Sequence, residues 1–161
     1  RLFETLASSV KARSAFGAPC LIVAASGNES MRDINLDYVV RVAPPAAADG
    51  IVSVGALDQG PNGWKIAPFS NAGANLCGPG VDIHSARPVA QGGGLVAMSG
   101  TSMATPHIAG VAALWCEALK KAHQFNILAL HTRVAASASH AQIAPGFVPD
   151  DVGLGMVSSP A

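Results

Sequence analysis

Three short apolar segments and one long apolar helix constrain what this chain can fold into. Continuous apolar runs bounded by turn residues are typical of strands buried on both faces of a parallel sheet, and they occur at residues 20–25, 51–54 and 95–98. The longest helical pattern runs from Ser102 to about Ala122 and is apolar nearly all round, as in a helix inside a fold. The sequence therefore predicts an α/β class, a partial doubly wound parallel sheet that contains all three strands, with the helix after Ser102 buried across it.

Weaker patterns predict the remaining elements. Residues 2–16 have an amphipathic helical pattern that Gly17-Ala18-Pro19 ends. Residues 58–73 are rich in Gly, Asn and Pro, which predicts a loop with a short strand near residues 66–69. Pro106 is expected in the first turn of the long helix or just past it, where a missing N–H costs least. A last helix over about residues 127–136 and a closing strand over residues 153–157 complete the pattern.

Charge is unusually scarce in these 161 residues. Charged residues make up 12% of the chain, against about 25% in typical soluble domains. Either the surface is lined by small, weakly polar residues, or another part of the protein covers some of it. Ten basic and ten acidic residues without a basic stripe argue against a nucleic-acid partner, and the apolar runs are too short to cross a bilayer. We expect neither nucleic acid nor a membrane as a partner.

The start of the chain and its cysteines give two further expectations. The sequence begins RLFE, without an initiator Met or a signal-peptide pattern, so we interpret the start as cut, and the compartment stays open. Cys20, Cys77 and Cys116 each lie among apolar residues and are predicted to be buried free thiols. No CxxC spacing indicates a metal site.

Residues 100–110 read GTSMATPHIAG and place Ser102 at the start of the long helix. Free N–H groups and the positive end of the helix dipole would stabilise an oxyanion formed beside this serine. A serine before a helix is more often a simple N-cap, and the residues alone leave that alternative open. A nucleotide-binding α/β domain would need GxGxxG or GxxxxGK[ST], and neither pattern occurs.

GTSMATPHIAG is similar, apart from ordinary exchanges, to the nucleophile segment of the subtilisin-like serine proteases, the subtilase family. LIVAASGNES at residues 21–30 resembles the strand and loop that carry the oxyanion-hole asparagine of that family. Weaker similarities follow in the family's order: IVSVGAL at 51–57, FSNAG at 69–73, CGPGVDI at 77–83 and GLGMV at 153–157. The resemblance covers most of the chain, and its two main motifs are specific.

The resemblance implies peptide-bond hydrolysis through an acyl-enzyme. Ser102 Oγ would attack the peptide carbonyl, and the Asn28 side-chain amide and the Ser102 backbone N–H would hold the resulting oxyanion. Residues assigned to substrate binding by the same resemblance are Ala25, Ser26 and Gly27, as one wall of the pocket, together with Gly100 and Thr101. The chemistry itself requires no cofactor. A structural calcium or other cation is possible in the full-length protein, although Asn75 stands where some relatives have a carboxylate ligand.

The sequence also departs from the family. The family's Asp motif and His-Gly-Thr-His motif are expected before Asn28, and neither occurs in this chain. His107 shares the motif of Ser102, but on a helix it lies about 7.5 Å along the axis and about 140° around from that serine. His107 is therefore predicted to be structural, and the other four histidines are predicted to lie on the surface or in loops: His84, His123, His131 and His140.

These departures define the expected domain organisation. Residues 1–161 are expected to be the C-terminal part of a single catalytic domain whose N-terminal part carries Asp, His and the opposite wall of the substrate cleft. The expected partners are a protein or peptide substrate, that N-terminal part and, for the isolated chain, further copies of itself. We expect the isolated chain to be inactive. The alternative is a pseudo-protease or binding module on the same scaffold, although such a scaffold would need neither Ser102 nor Asn28.

The family carries one further backbone expectation and leaves the compartment unassigned. Pro44-Pro45 falls where many members have a cis peptide bond, so a cis bond is predicted there. Family members are often secreted or exported, which this stretch of sequence does not decide.

Overall fold

A computed structural model describes residues 1–14, 16–17 and 20–161 of the chain. The order of its helices and strands is α1 (Leu2–Ser14), β1 (Val23–Ala25), β2 (Val52–Gly60), β3 (Gly63–Ile66), β4 (Leu76–Pro79), β5 (Ile83–Ala86), β6 (Leu95–Met98), α2 (Thr101–Lys121), α3 (Ile127–Ala136) and α4 (Pro149–Val152). This mixture of helices with a mainly parallel sheet confirms the predicted α/β class.

The main sheet is built around β2. Strand β1 pairs with it in parallel, with Val23 opposite Val52, and β4 pairs with it in parallel on its other side, with Val54 opposite Leu76. Most of β2 is buried, so the run over residues 51–54 predicted a buried parallel strand correctly. The run over residues 20–25 shortens to β1.

The strand predicted at residues 95–98 exists but was placed in the wrong sheet. Strand β6 pairs antiparallel with β5, and together they form a separate two-stranded sheet. Gly92, Gly93 and Gly94 all have positive φ, which lets the chain reverse and pair with its own neighbour. Strand β6 is mostly exposed for that reason.

Two other expectations about the strands were wrong. The predicted loop over residues 58–73 begins inside β2, and the short strand predicted in it near residues 66–69 lies slightly earlier, as β3. Strand β3 pairs antiparallel with β2 across a tight turn that closes with Gly60 opposite Gly63. The predicted strand over residues 153–157 is replaced by single bridges from Met156. Gly153 and Gly155 have φ values of 54° and 100°, which interrupt an extended backbone.

Helix α2 packs across β1, β2 and β4 and also contacts α3. Its inward residues Ala104, Ile108 and Ala112 join the main core. The prediction that this helix is buried all round was wrong, because Gly110 and Leu114 on its other face are exposed. Pro106 lies early in the second turn, just past the first, as predicted.

The two flanking helices agree with the sequence more closely. Helix α3 has the predicted bounds, and the Asn126 side chain caps it by accepting a hydrogen bond from Ala129 N at 2.8 Å. Helix α1 ends at Ser14 rather than near Phe16, and its predicted stop at Gly17-Ala18-Pro19 lies partly outside the described residues. The predicted cis bond at Pro44-Pro45 is confirmed. Within the described ranges, no helix combines the length and apolar character needed to span a bilayer.

The cysteines differ in their exposure. All three are free thiols, but only Cys77 is fully buried, while Cys116 is half-buried and Cys20 is exposed. Burial was therefore predicted wrongly for Cys20, which lies ahead of the short strand β1 rather than inside it. Burial raises the pKa of the Cys77 thiol to about 12.

A buried ion pair ties the segment after Asn28 to the last helix. Arg32 Nη2 donates to Asp151 Oδ1 at 2.5 Å, and both side chains are almost entirely buried. Arg32 Nη1 also donates to the Ser70 carbonyl. The next acidic residue, Asp150, pairs with Arg41 at 2.7 Å, but that pair is exposed to solvent.

We predict that the two neighbouring ion pairs differ strongly in their contribution to stability. Arg32→Met would leave Asp151 as an uncompensated buried charge, so the free energy of unfolding should fall by about 3–5 kcal/mol. Arg41→Met is the matched control, and it should change stability by less than about 1 kcal/mol because its pair is solvated. The double variant Arg32→Met/Asp151→Leu should recover most of the loss. Urea unfolding measures all three, and equal losses for the two single variants would contradict the assignment.

We also predict a large difference in thiol reactivity. At pH 8, a thiol with a pKa of about 12 is thiolate in only about one molecule in 10⁴, and Cys77 is also shielded from reagent. In single-cysteine variants, the Cys20 thiol should react with a disulfide reagent at least about 100-fold faster than the Cys77 thiol. Urea should remove the difference. Similar rates in the folded chain would show that the core around Cys77 is open.

Candidate active site

Ser102 lies in the first turn of α2 with its hydroxyl exposed. The N-cap position of this helix is Gly100, so Ser102 is not a simple N-cap. Neither the Ser102 N–H nor its hydroxyl has a hydrogen-bond partner among residues 1–14, 16–17 and 20–161. The helix therefore offers a free donor and the positive end of its dipole beside an accessible serine oxygen.

Asn28 follows β1 at the carboxyl end of the parallel strands and reaches the start of α2. Its Oδ1 accepts hydrogen bonds from Thr101 N at 2.8 Å and Thr101 Oγ1 at 3.0 Å. Because a backbone N–H can only donate, the contacting atom must be the amide oxygen, and the orientation of the amide is fixed. Asn28 Nδ2 then has no acceptor within the described part of the chain. A Cβ built on Gly100 would lie 3.5 Å from that nitrogen, so the free donor lies beside the helix start.

Thr101 joins the helix to the loop that carries Asn28. Besides donating to Asn28, its Oγ1 accepts from Gly27 N at 3.3 Å. Thr101 and Ser26 are both fully buried, backbone included. Thr101 thereby sets the separation between Asn28 and Ser102, the two predicted catalytic residues.

The residues predicted to bind substrate surround this contact. Ala25 is the last residue of β1, and Gly27 has a φ of 112°. Gly100 is buried and donates from its N–H to Gly80 O at 2.7 Å. The structure thus brings these residues together with Ser26 and Thr101 at one end of the sheet, and their role in substrate binding stays a prediction.

Sequence reasoning assigned no role to Asn71, which lies within the quoted segment FSNAG. Its buried side chain forms hydrogen bonds to residues 26, 29 and 30, on both sides of Asn28. The only available signal was an asparagine between a serine and an alanine in an otherwise apolar stretch, which is typical of a turn as well. Its contacts come from a segment more than forty positions away, which no local pattern reveals.

The histidines do not complete a catalytic pair with Ser102. His107 Nδ1 donates to Met103 O at 2.9 Å, as expected for a structural histidine, although its side chain is exposed. His140 Nε2 bonds to Gly153 O at 2.9 Å. The other three, His84, His123 and His131, are also exposed, which confirms their predicted surface positions. None of the five histidines is hydrogen-bonded to Ser102 in the described region.

The described residues do not offer a metal site. They contain no group of three or more His, Cys, Asp or Glu side chains that could hold an ion. Asn75 Oδ1 accepts from Ser53 N at 2.8 Å and from Ser53 Oγ at 2.9 Å. That oxygen is used in the sheet, so Asn75 does not fit the role of a cation ligand.

A cavity of about 740 Å³ lies away from Ser102, between α1, α3 and residues 46–53. Neither Ser102 nor Asn28 lines it. The candidate active site is instead an open surface at the carboxyl end of the sheet, where ligands commonly bind in α/β folds.

Comparison with known proteins agrees with this geometry. The family model described as Subtilase family matches residues 4–151. Alkaline elastase YaB from Bacillus sp. (strain YaB) is 38% identical over 110 residues, which is 68% of this chain and 25% of that protein. Subtilisin Savinase from Lederbergia lenta is 37% identical over 110 residues, which is 68% of this chain and 36% of that protein.

Solved structures show the same relationship. The patellamide maturation protease PatA is similar with a TM-score of 0.74 and 27% identity, over 96% of this chain and 52% of that one. The prenylagaramide maturation protease PagA gives a TM-score of 0.68 and 29% identity, over 86% and 47%. The chain spans about half of these structures and a quarter to roughly a third of the two curated relatives named above. With its parallel sheet, its serine at the start of α2 and these matches, the chain belongs to the subtilase family of subtilisin-like serine proteases.

Proposed function

We propose that the full-length protein containing this chain is a serine endopeptidase with Ser102 as its nucleophile. Ser102 Oγ forms a bond to the peptide carbonyl carbon while a base takes its proton, and the proton then goes to the departing amine as the C–N bond breaks. Water hydrolyses the resulting ester and regenerates the hydroxyl. No cofactor is needed, because the nucleophile and the oxyanion donors are groups of the protein.

The observation that carries the proposal is the fixed orientation of the Asn28 amide. Thr101 occupies Asn28 Oδ1 with two hydrogen bonds, which leaves Nδ2 as a free donor near the equally free Ser102 N–H. Two unpaired donors at the start of α2, beside an exposed serine, are the kind of groups that stabilise the oxyanion of acyl transfer. A pseudo-protease or binding module would have no need of this geometry.

We propose that the base and its orienting carboxylate come from the Asp and His motifs of the same catalytic domain. His107 and His140 support this proposal, because each is hydrogen-bonded to a backbone carbonyl and not to Ser102. The relatives are also several times longer than the matched segment. A lone serine hydroxyl is a poor nucleophile near neutral pH.

Two surfaces support the proposal that another part of the domain packs on this chain. Strand β1 pairs only with β2 among the described strands, so its outer edge has unpaired backbone groups. The outward face of α2 exposes Ala109, Gly110 and Leu114, and a Cβ on Gly110 would meet no atom within 4 Å. We expect the isolated chain to self-associate through these surfaces, and peptides or proteins to be its substrates when the domain is whole.

We predict that two substitutions in the full-length protein distinguish the role of Ser102 as nucleophile from the role of Asn28 as oxyanion donor. Ser102→Ala should abolish labelling by a fluorophosphonate. Asn28→Ala should lower kcat by about 10²- to 10³-fold, a magnitude that comes from subtilisin itself. Ser9→Ala is the control, because Ser9 is exposed on α1 and bonds only to the carbonyl of Thr5. Peptide cleavage by the full-length protein that survives Ser102→Ala would refute the assignment, and an unlabelled but folded full-length protein would favour the pseudo-protease.

We predict separately that the isolated chain is not labelled at a protease-like rate. The base must lie within about 3.2 Å of the serine oxygen, and none of the five histidines is bonded there in the described structure. Removing a triad member leaves only about 10³- to 10⁴-fold catalysis over water. Prompt labelling of the isolated chain that Ser102→Ala abolishes would show that one of its own histidines acts as the base.

A further inference from the structure

Asn71 contacts the backbone just before Asn28. Its side chain is fully buried. Asn71 Nδ2 donates to Ser26 O at 3.3 Å, and the Asn71 backbone N–H donates to Gly27 O at 3.1 Å. One residue, Asn71, therefore binds both peptide carbonyls that precede Asn28.

The same side chain contacts the backbone just after Asn28. Asn71 Oδ1 accepts from Glu29 N at 3.0 Å and from Ser30 N at 3.1 Å, and Ser30 Oγ adds a third bond at 3.3 Å. Asn71 Nδ2 also donates to Glu29 Oε2 at 2.6 Å. Both polar atoms of the amide are thus used, and most of their partners lie in residues 26–30.

The contact is close enough to dictate the residue at position 27. Gly27 has a φ of 112°, which favours glycine. A Cβ built there would also fall nearer than 3.0 Å to Asn71 Nδ2 and to Glu29 Oε2, closer than real Cβ contacts come. The loop and the Asn71 amide therefore fit each other without space for adjustment.

Asn71 forms no hydrogen bond with the Asn28 side chain or with Ser102, so any effect on the oxyanion must pass through the loop backbone. We propose that Asn71 is a positioning residue for the oxyanion donor, which sets the backbone of Asn28 while Thr101 sets its amide. The inference rests on the proposed function, because it assumes that Asn28 Nδ2 stabilises the oxyanion. Two side chains, Thr101 on α2 and Asn71 after β3, together determine the position of Asn28 Nδ2.

The expected effect follows from the sensitivity of catalysis to geometry. A displacement of about 1 Å in a catalytic group can cost about 10²-fold in rate. Asn71→Ser removes the amide and keeps a small polar side chain, so kcat of the full-length protein should fall by about 10- to 100-fold. Asn75→Ser is the matched control, because the same exchange four residues on disturbs only a contact with Ser53 in β2. It should leave kcat within about 2-fold.

The decisive measurement is a double-mutant cycle with Asn28→Ala, using peptide cleavage. If Asn71 acts through Asn28, then Asn71→Ser should cost little more than about 2-fold once Asn28 is alanine. An equal loss in both backgrounds would overturn the inference and indicate general damage to the fold. If Asn28→Ala alone lowered kcat by less than about 3-fold, the proposed oxyanion role of Asn28 would be wrong. That outcome differs from equal losses in both backgrounds, which would contradict only the role of Asn71.

A milder variant keeps the test independent of folding. Ser30→Ala removes one of the three bonds to Asn71 Oδ1, and it also removes the contacts of the buried Ser30 hydroxyl with Val40 N and Val40 O. It should lower kcat in the same direction by a few-fold and should again have no effect in the Asn28→Ala background. If Asn71→Ser does not fold, as judged by its unfolding midpoint, the cycle with Ser30→Ala decides the question. Loss of activity from Ser30→Ala in both backgrounds would overturn the inference.

Discussion

The start of α2 lies so close to the sheet that glycine is the residue that fits between them. A Cβ on Gly80 would be 3.0 Å from Gly100 O, and one on Gly78 would be 3.3 Å from Ala104 O. Gly100 then bonds directly to Gly80 O at 2.7 Å. This close packing fixes the distance between the first turn of α2 and the ends of the strands. Because Ser102 follows immediately, the position of the proposed nucleophile depends on backbone contacts rather than on its own side chain.

The proposed oxyanion donor, Asn28, depends on a second set of contacts. Asn28 is held at its amide by Thr101 and at its neighbouring peptides by Asn71, and both anchoring side chains are fully buried. Buried, fully paired polar groups are rigid because every alternative arrangement would leave a donor or acceptor without a partner. A donor held in this way needs no reorganisation when charge develops, which is the physical basis of oxyanion stabilisation.

The sequence predicted what depends on local pattern and missed what depends on distant contacts. Helix α3 and the buried part of β2 followed from local sequence patterns. Strand β6 was assigned to the main sheet because a buried strand and a hairpin strand can show the same short apolar run. The outward face of α2 was expected to be buried, since an apolar pattern cannot say which neighbour covers it. Asn71 was missed because its partners lie thirty or more residues away along the chain.

The proposed mechanism has two parts, oxyanion stabilisation and proton transfer, and the described contacts concern only the first. The serine, both proposed oxyanion donors and their anchors all lie between Ser26 and Ser102, and they are held by contacts internal to this segment. Proton transfer is different, because nothing in the same network holds a histidine against the serine. The oxyanion site can therefore be formed and tested without the base, and a transition-state analogue would probe the first part alone. The low charge content fits the proposal that another part of the domain covers this chain, since the outer side of α2 exposes Ala109 and Leu114 and β1 has an unpaired edge.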